Sequence, residues 1–99
     1  MRRGTTPTIT YSLPFDAVSV QAAEITFSCP GSAYISKSLP EMTASGNKLA
    51  VRLTQEETLR FRAGSTVSIQ IALRLAGGSC VRSKIHEEPV TDALKGVPI

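Results

Sequence analysis

The chain has no tryptophan, five aromatic residues, two cysteines and one histidine among its 99 residues. Each shortage excludes something. With so few rings, the core has to be mostly aliphatic. The tryptophan that packs between two cysteines in antibody-type sandwiches is missing. Cys29, Cys80 and the lone His86 do not form the clustered ligand set that a metal site needs. Neither cysteine has a CxxC partner, so there is no redox motif and the default is two reduced thiols. No apolar run approaches the roughly 18 residues of a helical membrane span. No apolar stretch follows Arg2-Arg3, so a secretory signal is not expected and the chain is expected to start out in the cytosol. Charge is also modest. Eleven basic and eight acidic residues give a formal net charge of +3, and they are spread along the chain. This is not the concentrated basic stripe of a nucleic-acid binder.

What is present is alternation. In STVSIQIALRLAGG (65–78), Val67, Ile69, Ile71, Leu73 and Leu75 stand at every second position. Period 2 over nine residues predicts a strand with one buried face. Gly77-Gly78 then offers a tight hairpin. The same pattern recurs in PTITYSL (7–13), where Ile9, Tyr11 and Leu13 share a face opposite Thr8, Thr10 and Ser12. Pro7 and Pro14 bracket that strand, which suits a sheet edge. AAEITFS (22–28) points Ala23, Ile25 and Phe27 inward, and 48–53 points Leu49, Val51 and Leu53 inward. Cys29–Ser32 is a turn by composition. In 33–39, Tyr34 and Ile35 lie on opposite faces, so its inward side is open. Residues 40–47 read as a loop. FDAVSV (15–20) is a connection whose Phe15 and Val18 can plug one end of a core. A last strand from about Ser79 alternates Val81, Ser83 and Ile85 with Arg82, Lys84 and His86, and Pro89 ends it or leaves it on an edge.

Thr54 and Glu57 fit a capping box, with acids in the first turn of a helix. A single helical turn near 55–58 is expected, because Leu59 and Phe61 return to period 2. The length suits one domain over residues 1–99, with 1–6 and 92–99 as loose tails and Leu94 or Val97 closing on the sheet. Six or seven short strands with turn signals between them predict an all-β antiparallel sandwich of immunoglobulin-like plan. The helical turn stands where such folds cross between sheets.

The chemistry-bearing residues do not assemble into a reaction centre on the sequence. His86 has Glu87 and Glu88 beside it, but neighbours on a strand face opposite ways and no nucleophile is placed. Glu56-Glu57 is explained by the capping box, and Glu87-Glu88 by an edge strand kept soluble with charge. Gly77-Gly78 lacks the lysine and helix start of a phosphate loop. No catalytic, cofactor or metal residues are therefore expected. Arg60, Arg62, Arg74, Arg82 and Lys84 would make a nucleic-acid face only if the fold placed them together, and the aromatics that would stack bases sit at core positions.

Arg2–Asp16 (RRGTTPTITYSLPFD) and Leu53–Gly78 (LTQEETLRFRAGSTVSIQIALRLAGG) resemble a family of short prophage proteins of Gram-positive bacteria. The shared pattern is an RRGTTPT-like start, a strand ending in LPFD, an LTQE-T-L turn and a long strand closed by Gly-Gly. Agreement is close at both motifs and loose between Ser28 and Gly46. Near the end, the family's S-I strand appears as Ser83-Lys84-Ile85, followed by Val90. The plan is also similar to the immunoglobulin-like N-terminal module of phage baseplate upper proteins. The resemblance implies a virion structural or tail-associated protein of the baseplate or neck type. It would be made in the host cytoplasm, built into the virion, and act by contact with other phage structural proteins. A homo-oligomer, most simply a dimer or a ring, is a further expectation. The surface expected to carry these contacts comprises Thr8, Thr10, Ser12, Arg74, Arg82 and Lys84. The alternative is a small basic nucleic-acid-binding or regulatory protein of a mobile element.

Overall fold

The computed structural model describes residues 1–99. Eight strands follow in order: β1 (Thr8–Ser12), β2 (Val20–Cys29), β3 (Ala33–Ser38), β4 (Thr43–Ser45), β5 (Lys48–Arg52), β6 (Thr66–Leu75), β7 (Cys80–Arg82) and β8 (His86–Pro89). One short helix, α1 (Gln55–Leu59), joins β5 to β6, and 3-10 turns cover Ala17–Ser19 and Leu39–Glu41. All strand pairings are antiparallel, in a small sheet ordered β1-β5-β4 and a large sheet ordered β3-β2-β6-β7, with β8 also on β6. The chain is an all-β sandwich. Its two sheets share one core that includes Ile25, Phe27, Ile35, Leu49, Val51, Leu53, Val67, Ile69 and Ile71.

The strand order explains the immunoglobulin-like plan. Immunoglobulin domains set strands A-B-E-D against C-F-G, with C′ beside C in the variable type. Here β1-β5-β4 takes the places of B-E-D, and β3-β2-β6-β7 those of C′-C-F-G. Strand A has no counterpart beside β1, which is left as a sheet edge.

The alternating patterns land where period 2 puts them. Ala23, Ile25 and Phe27 of β2, and Val67, Ile69, Ile71 and Leu73 of β6, are buried. Ile35 turns inward and Tyr34 outward, which resolves the ambiguous face of β3. The β2–β3 turn places Gly31 at φ +80° and the β6–β7 turn places Gly78 at φ +89°, a region side chains disfavour.

Several expectations need correction. There are eight strands, not six or seven. Residues 40–47 are not all loop: a capping box between Ser38 and Glu41 closes a 3-10 turn, and β4 then pairs with β5. All three β4 side chains are exposed, so no apolar alternation announces it. The last strand is two strands. Arg82 faces Ala72 and His86 faces Ile69, so three residues, 83–85, stand opposite two, Gln70 and Ile71, the mark of a bulge. Ser83 fixes it. Its hydroxyl accepts from Ile71 N at 3.1 Å, its N–H donates to Ile71 O at 2.9 Å, and Gln70 Nε2 donates to its carbonyl at 2.8 Å. Val81 and Ile85 are exposed at 43% and 61%. Leu59 is helical and does not resume period 2; Thr58 and Phe61, one turn apart, are the buried pair.

The N-terminal residues are tied down, against the expectation of a loose tail. Arg2 bridges Thr91, and Arg3 N and Thr91 N donate to Thr91 O and Met1 O, both at 2.9 Å. The Arg3 guanidinium donates to the carbonyls of Leu59 and Phe61, each at 2.8 Å, satisfying the end of α1, and reaches Asp92 at 2.7 Å. At the other end, Leu94 and Val97 are exposed and do not close on the sheet. The Gln55 side chain is bonded to the backbone of Ile99 at 2.7 and 3.2 Å.

Lys37, on β3, makes a 2.6 Å ion pair with Glu57 of α1 and lies 3.7 Å from Glu41. Both the Lys37 and Glu57 side chains are largely shielded. The pair ties the edge of the large sheet to the crossover leaving the small one. Burial alone raises the Glu57 carboxyl, but the Lys37 hydrogen bond and the Thr54 amide outweigh it and hold the group below its usual value. The Ser38 amide and hydroxyl lower Glu41, and Arg3 lowers Asp92. Each is a carboxylate favoured by the fold. Its stabilisation is present above the unfolded-state pKa and is lost as pH falls through the folded one. Urea midpoints should therefore hold steady from about pH 7 to 5 and drop below about pH 4. Glu57→Gln should lower the neutral-pH midpoint and flatten this acid slope; an unchanged slope would remove the ion pair from the account.

Candidate functional site

The strand orders leave four sheet edges: β4, β3, β7–β8 and β1. Exposed edges invite unwanted pairing, and proteins blunt them with shortness, inward charges, bulges or surface charge. Three edges here are blunted. β4 has three residues. β3 turns Lys37 inward to Glu57. β7–β8 is broken by the Ser83 bulge and carries Arg82, Lys84, His86, Glu87 and Glu88.

β1 has no such device within Thr8–Ser12: five residues, TITYS, uncharged and without a bulge. Its prolines stand just outside. The free groups of this edge follow from the ladder. Leu53 N donates to Pro7 O at 3.0 Å, and Leu13 N donates to Asn47 O at 2.7 Å. Odd-numbered residues therefore bond to β5. By the alternation of an antiparallel ladder, the N–H and C=O groups of Thr8, Thr10 and Ser12 point away from it, to the open side.

Beyond that edge lies a seam between the sheets, visible as two adjoining hollows. One, of about 370 Å³, is lined by Thr8, Ile9, Thr10, Tyr11, His86 and Glu88. The next, of about 240 Å³, is mainly apolar: Tyr11, Leu13, Phe15, Ile71, Leu73 and Val81, with Arg82 and Ser83 at its rim. The two hollows share Tyr11. Four strands of the large sheet lie over three of the small one, so the inner face of β7 overhangs the empty place beside β1. Val81 shows this: it lies in register with buried Leu73, yet is 43% exposed.

The expected contact residues divide. Thr8, Thr10, Ser12 and Arg82 line the seam, and Lys84 sits exposed in the bulge beside it. Arg74 does not join them. It lies with Arg82, Glu24, Ala22 and Ala72 around a shallow hollow of about 430 Å³ on the outer face of the large sheet. Arg82 borders both. Val81 and Tyr11 belong to the seam but were not expected there; their alternation signals burial, and only the missing strand beside β1 leaves them uncovered.

The basic residues do not form one face. Arg62 N donates to Ser32 Oγ at the β2–β3 turn, at the Thr66 end of the large sheet. Arg74 is eight residues along β6 from Thr66, roughly 27 Å at about 3.4 Å per residue. His86 does find an acid partner, because Glu88 is two residues on and shares its side of the strand: Nε2 lies 3.2 Å from Glu88 Oε1. This bond lowers the Glu88 carboxyl. No hydroxyl or thiol is hydrogen-bonded to His86. Cys29 is buried with its sulfur 3.1 Å from Ser65 Oγ, Cys80 is exposed, and both are free thiols. No group of three or more His, Cys, Asp or Glu side chains comes together. No helix is long and apolar enough to cross a membrane.

Comparison with protein-family models, with curated proteins and with solved structures finds no match for this chain.

Proposed function

We propose that this chain is a non-enzymatic structural protein of a phage or prophage virion, tail-associated, which docks other virion proteins through the seam between β1 and β7–β8. The observation that carries the docking part is the open edge itself. A sandwich of 99 residues that blunts three edges and leaves Thr8–Ser12 free, beside exposed Val81, has a surface built for cover. The virion setting rests on the resemblance of residues 2–16 and 53–78 to short prophage proteins. The nucleic-acid alternative is weakened by the separation of Arg62 from Arg74 and Arg82 along the sandwich.

The test is direct binding. Purified chain is titrated calorimetrically against each neck, tail and baseplate protein of the same genetic element. One of them should bind, and an Arg82→Glu/Lys84→Glu variant with unchanged melting should lose about tenfold or more in affinity, which is about 1.4 kcal/mol. No binding by any of these proteins would overturn the proposal.

A further inference from the structure

We propose that the seam takes its partner by strand addition: one extended segment of a partner protein occupies the vacant place of strand A, antiparallel to β1, apolar at every second residue and acidic where it enters past Arg82 and Lys84. This rests on the docking reading and specifies how the docking is done.

Three observations define the occupant. The first is the backbone. Thr8, Thr10 and Ser12 present their N–H and C=O groups to the open side, spaced as alternate residues of an antiparallel ladder. An extended peptide satisfies all three pairs, and main-chain bonds of this kind supply affinity in strand-addition complexes. The second is the side-chain face. A strand placed beside β1 turns every second residue inward, over Tyr11, Phe15, Leu73 and Val81, which line the apolar hollow. Residues there have to be apolar to gain from it. The third is charge. β1 runs from Thr8 toward Phe15, so an antiparallel segment enters at the Phe15 end, where Arg82 lines the rim and Lys84 follows in the bulge. Acidic residues near the start of the segment pass these cations; the same charges at its far end would meet Glu88.

A second whole copy fits less well. Pairing β1 with its own image would continue the small sheet into the partner. Each large sheet already overhangs its seam by β7, so two overhanging strands would compete for the same space. A single extended strand brings no second sheet with it.

The probe is a synthetic peptide, acetyl-Asp-Asp-Val-Thr-Val-Thr-Val-amide, titrated into isotope-labelled protein to about 1 mM and followed by amide NMR. The amides of Thr8, Thr10 and Ser12 should shift and exchange with solvent at least about tenfold more slowly, while Tyr34, on the far edge, stays unmoved. Replacing the two aspartates by lysines should weaken binding about tenfold, and Arg82→Glu should reverse that preference. N-methylation of the peptide on the amides facing β1 should abolish the shifts. Thr10→Pro, which removes one outward N–H and leaves the β5 ladder intact, should do the same with melting little changed.

No shift at about 1 mM would overturn strand addition, as would shifts confined to other strands or an N-methylated peptide that binds equally well. Shifts of the β1 amides with protein concentration alone, without peptide, would mean that a second copy fills the place, and would overturn it too. The two proposals fail separately. A virion protein that binds without touching the Thr8, Thr10 and Ser12 amides refutes strand addition and leaves docking standing. A peptide that behaves as expected, with no virion protein binding, supports strand addition and refutes the virion role.

Discussion

Phe27→Ala should destabilise this protein more than any exposed substitution, by about 3–5 kcal/mol. Phe27 is fully buried on β2, the strand with neighbours on both sides in the large sheet. In register it faces Ile35 on β3 and Ile69 on β6, both themselves buried. Truncation removes a ring from a layer hemmed in by backbone ladders, so the cavity cannot collapse far. Small domains have about 5–15 kcal/mol in total, so the loss is a large fraction of the whole. The melting temperature should fall by well over 10 °C, at about 4–8 °C per kcal/mol for a chain of this size. Tyr34→Ala is the control. Tyr34 is the neighbouring strand's outward residue, 73% exposed, and its loss should move melting by only a few degrees at about 0.5 kcal/mol. Equal effects from the two would mean that β2 and β3 are out of register.

The contrast between these residues also shows what the sequence made legible. Period 2 is a local signal, and it gave the inward faces of β2, β5 and β6 because those strands are covered by the opposing sheet along most of their length. It could not give β4, whose three side chains are all in water and which exists only because Thr43–Ser45 pairs with Lys48–Ala50. It also carried straight through the Ser83 bulge, since Val81, Ser83 and Ile85 keep their alternation while the register underneath slips by one residue. What breaks the strand is a set of contacts with Gln70 and Ile71 on a neighbour, invisible to a local pattern.

The docking seam was half legible for the same reason. Thr8, Thr10 and Ser12 could be placed on the outward face of an edge strand from the flanking prolines. That their backbone groups face an empty strand position is a fact of sheet order. Arg74 shared their outward alternation but belongs to the other sheet's outer face, and only the register with Ala22 and Cys80 separates it from the seam. Strand length and polarity can be read residue by residue; which strand is missing can be read only once the others have neighbours.

Thr58→Val is the second substitution expected to have a large effect, and its direction runs against hydrophobicity. Thr58 is the one buried polar residue among the eighteen buried positions. In a fully buried site, valine has nearly the shape of threonine and is more apolar, so an idle hydroxyl would make the replacement neutral or favourable. This hydroxyl is not idle. It donates to Thr5 O at 2.9 Å, accepts from Gly4 N at 3.0 Å, and lies 3.2 Å from Gln55 O one turn back. Valine leaves the Gly4 N–H and the Thr5 carbonyl without partners, at about 1–3 kcal/mol for each that water cannot reach. The chain can escape that cost only by lifting residues 2–5 off α1. Lifting them breaks the Arg3 bonds to Leu59 O and Phe61 O and exposes the end of the helix. Either route should lower stability by about 2–3 kcal/mol. The two are told apart by amide exchange at Arg3 and Thr91, which quickens only if the strap comes away. Thr58→Ser keeps the hydroxyl and loses one methyl, and should cost about 1 kcal/mol. The ranking wild type, then serine, then valine places the stabilisation in the hydroxyl; a valine variant as stable as the wild type would mean that the Thr91 bridge and the Arg3 bonds hold residues 1–6 without it.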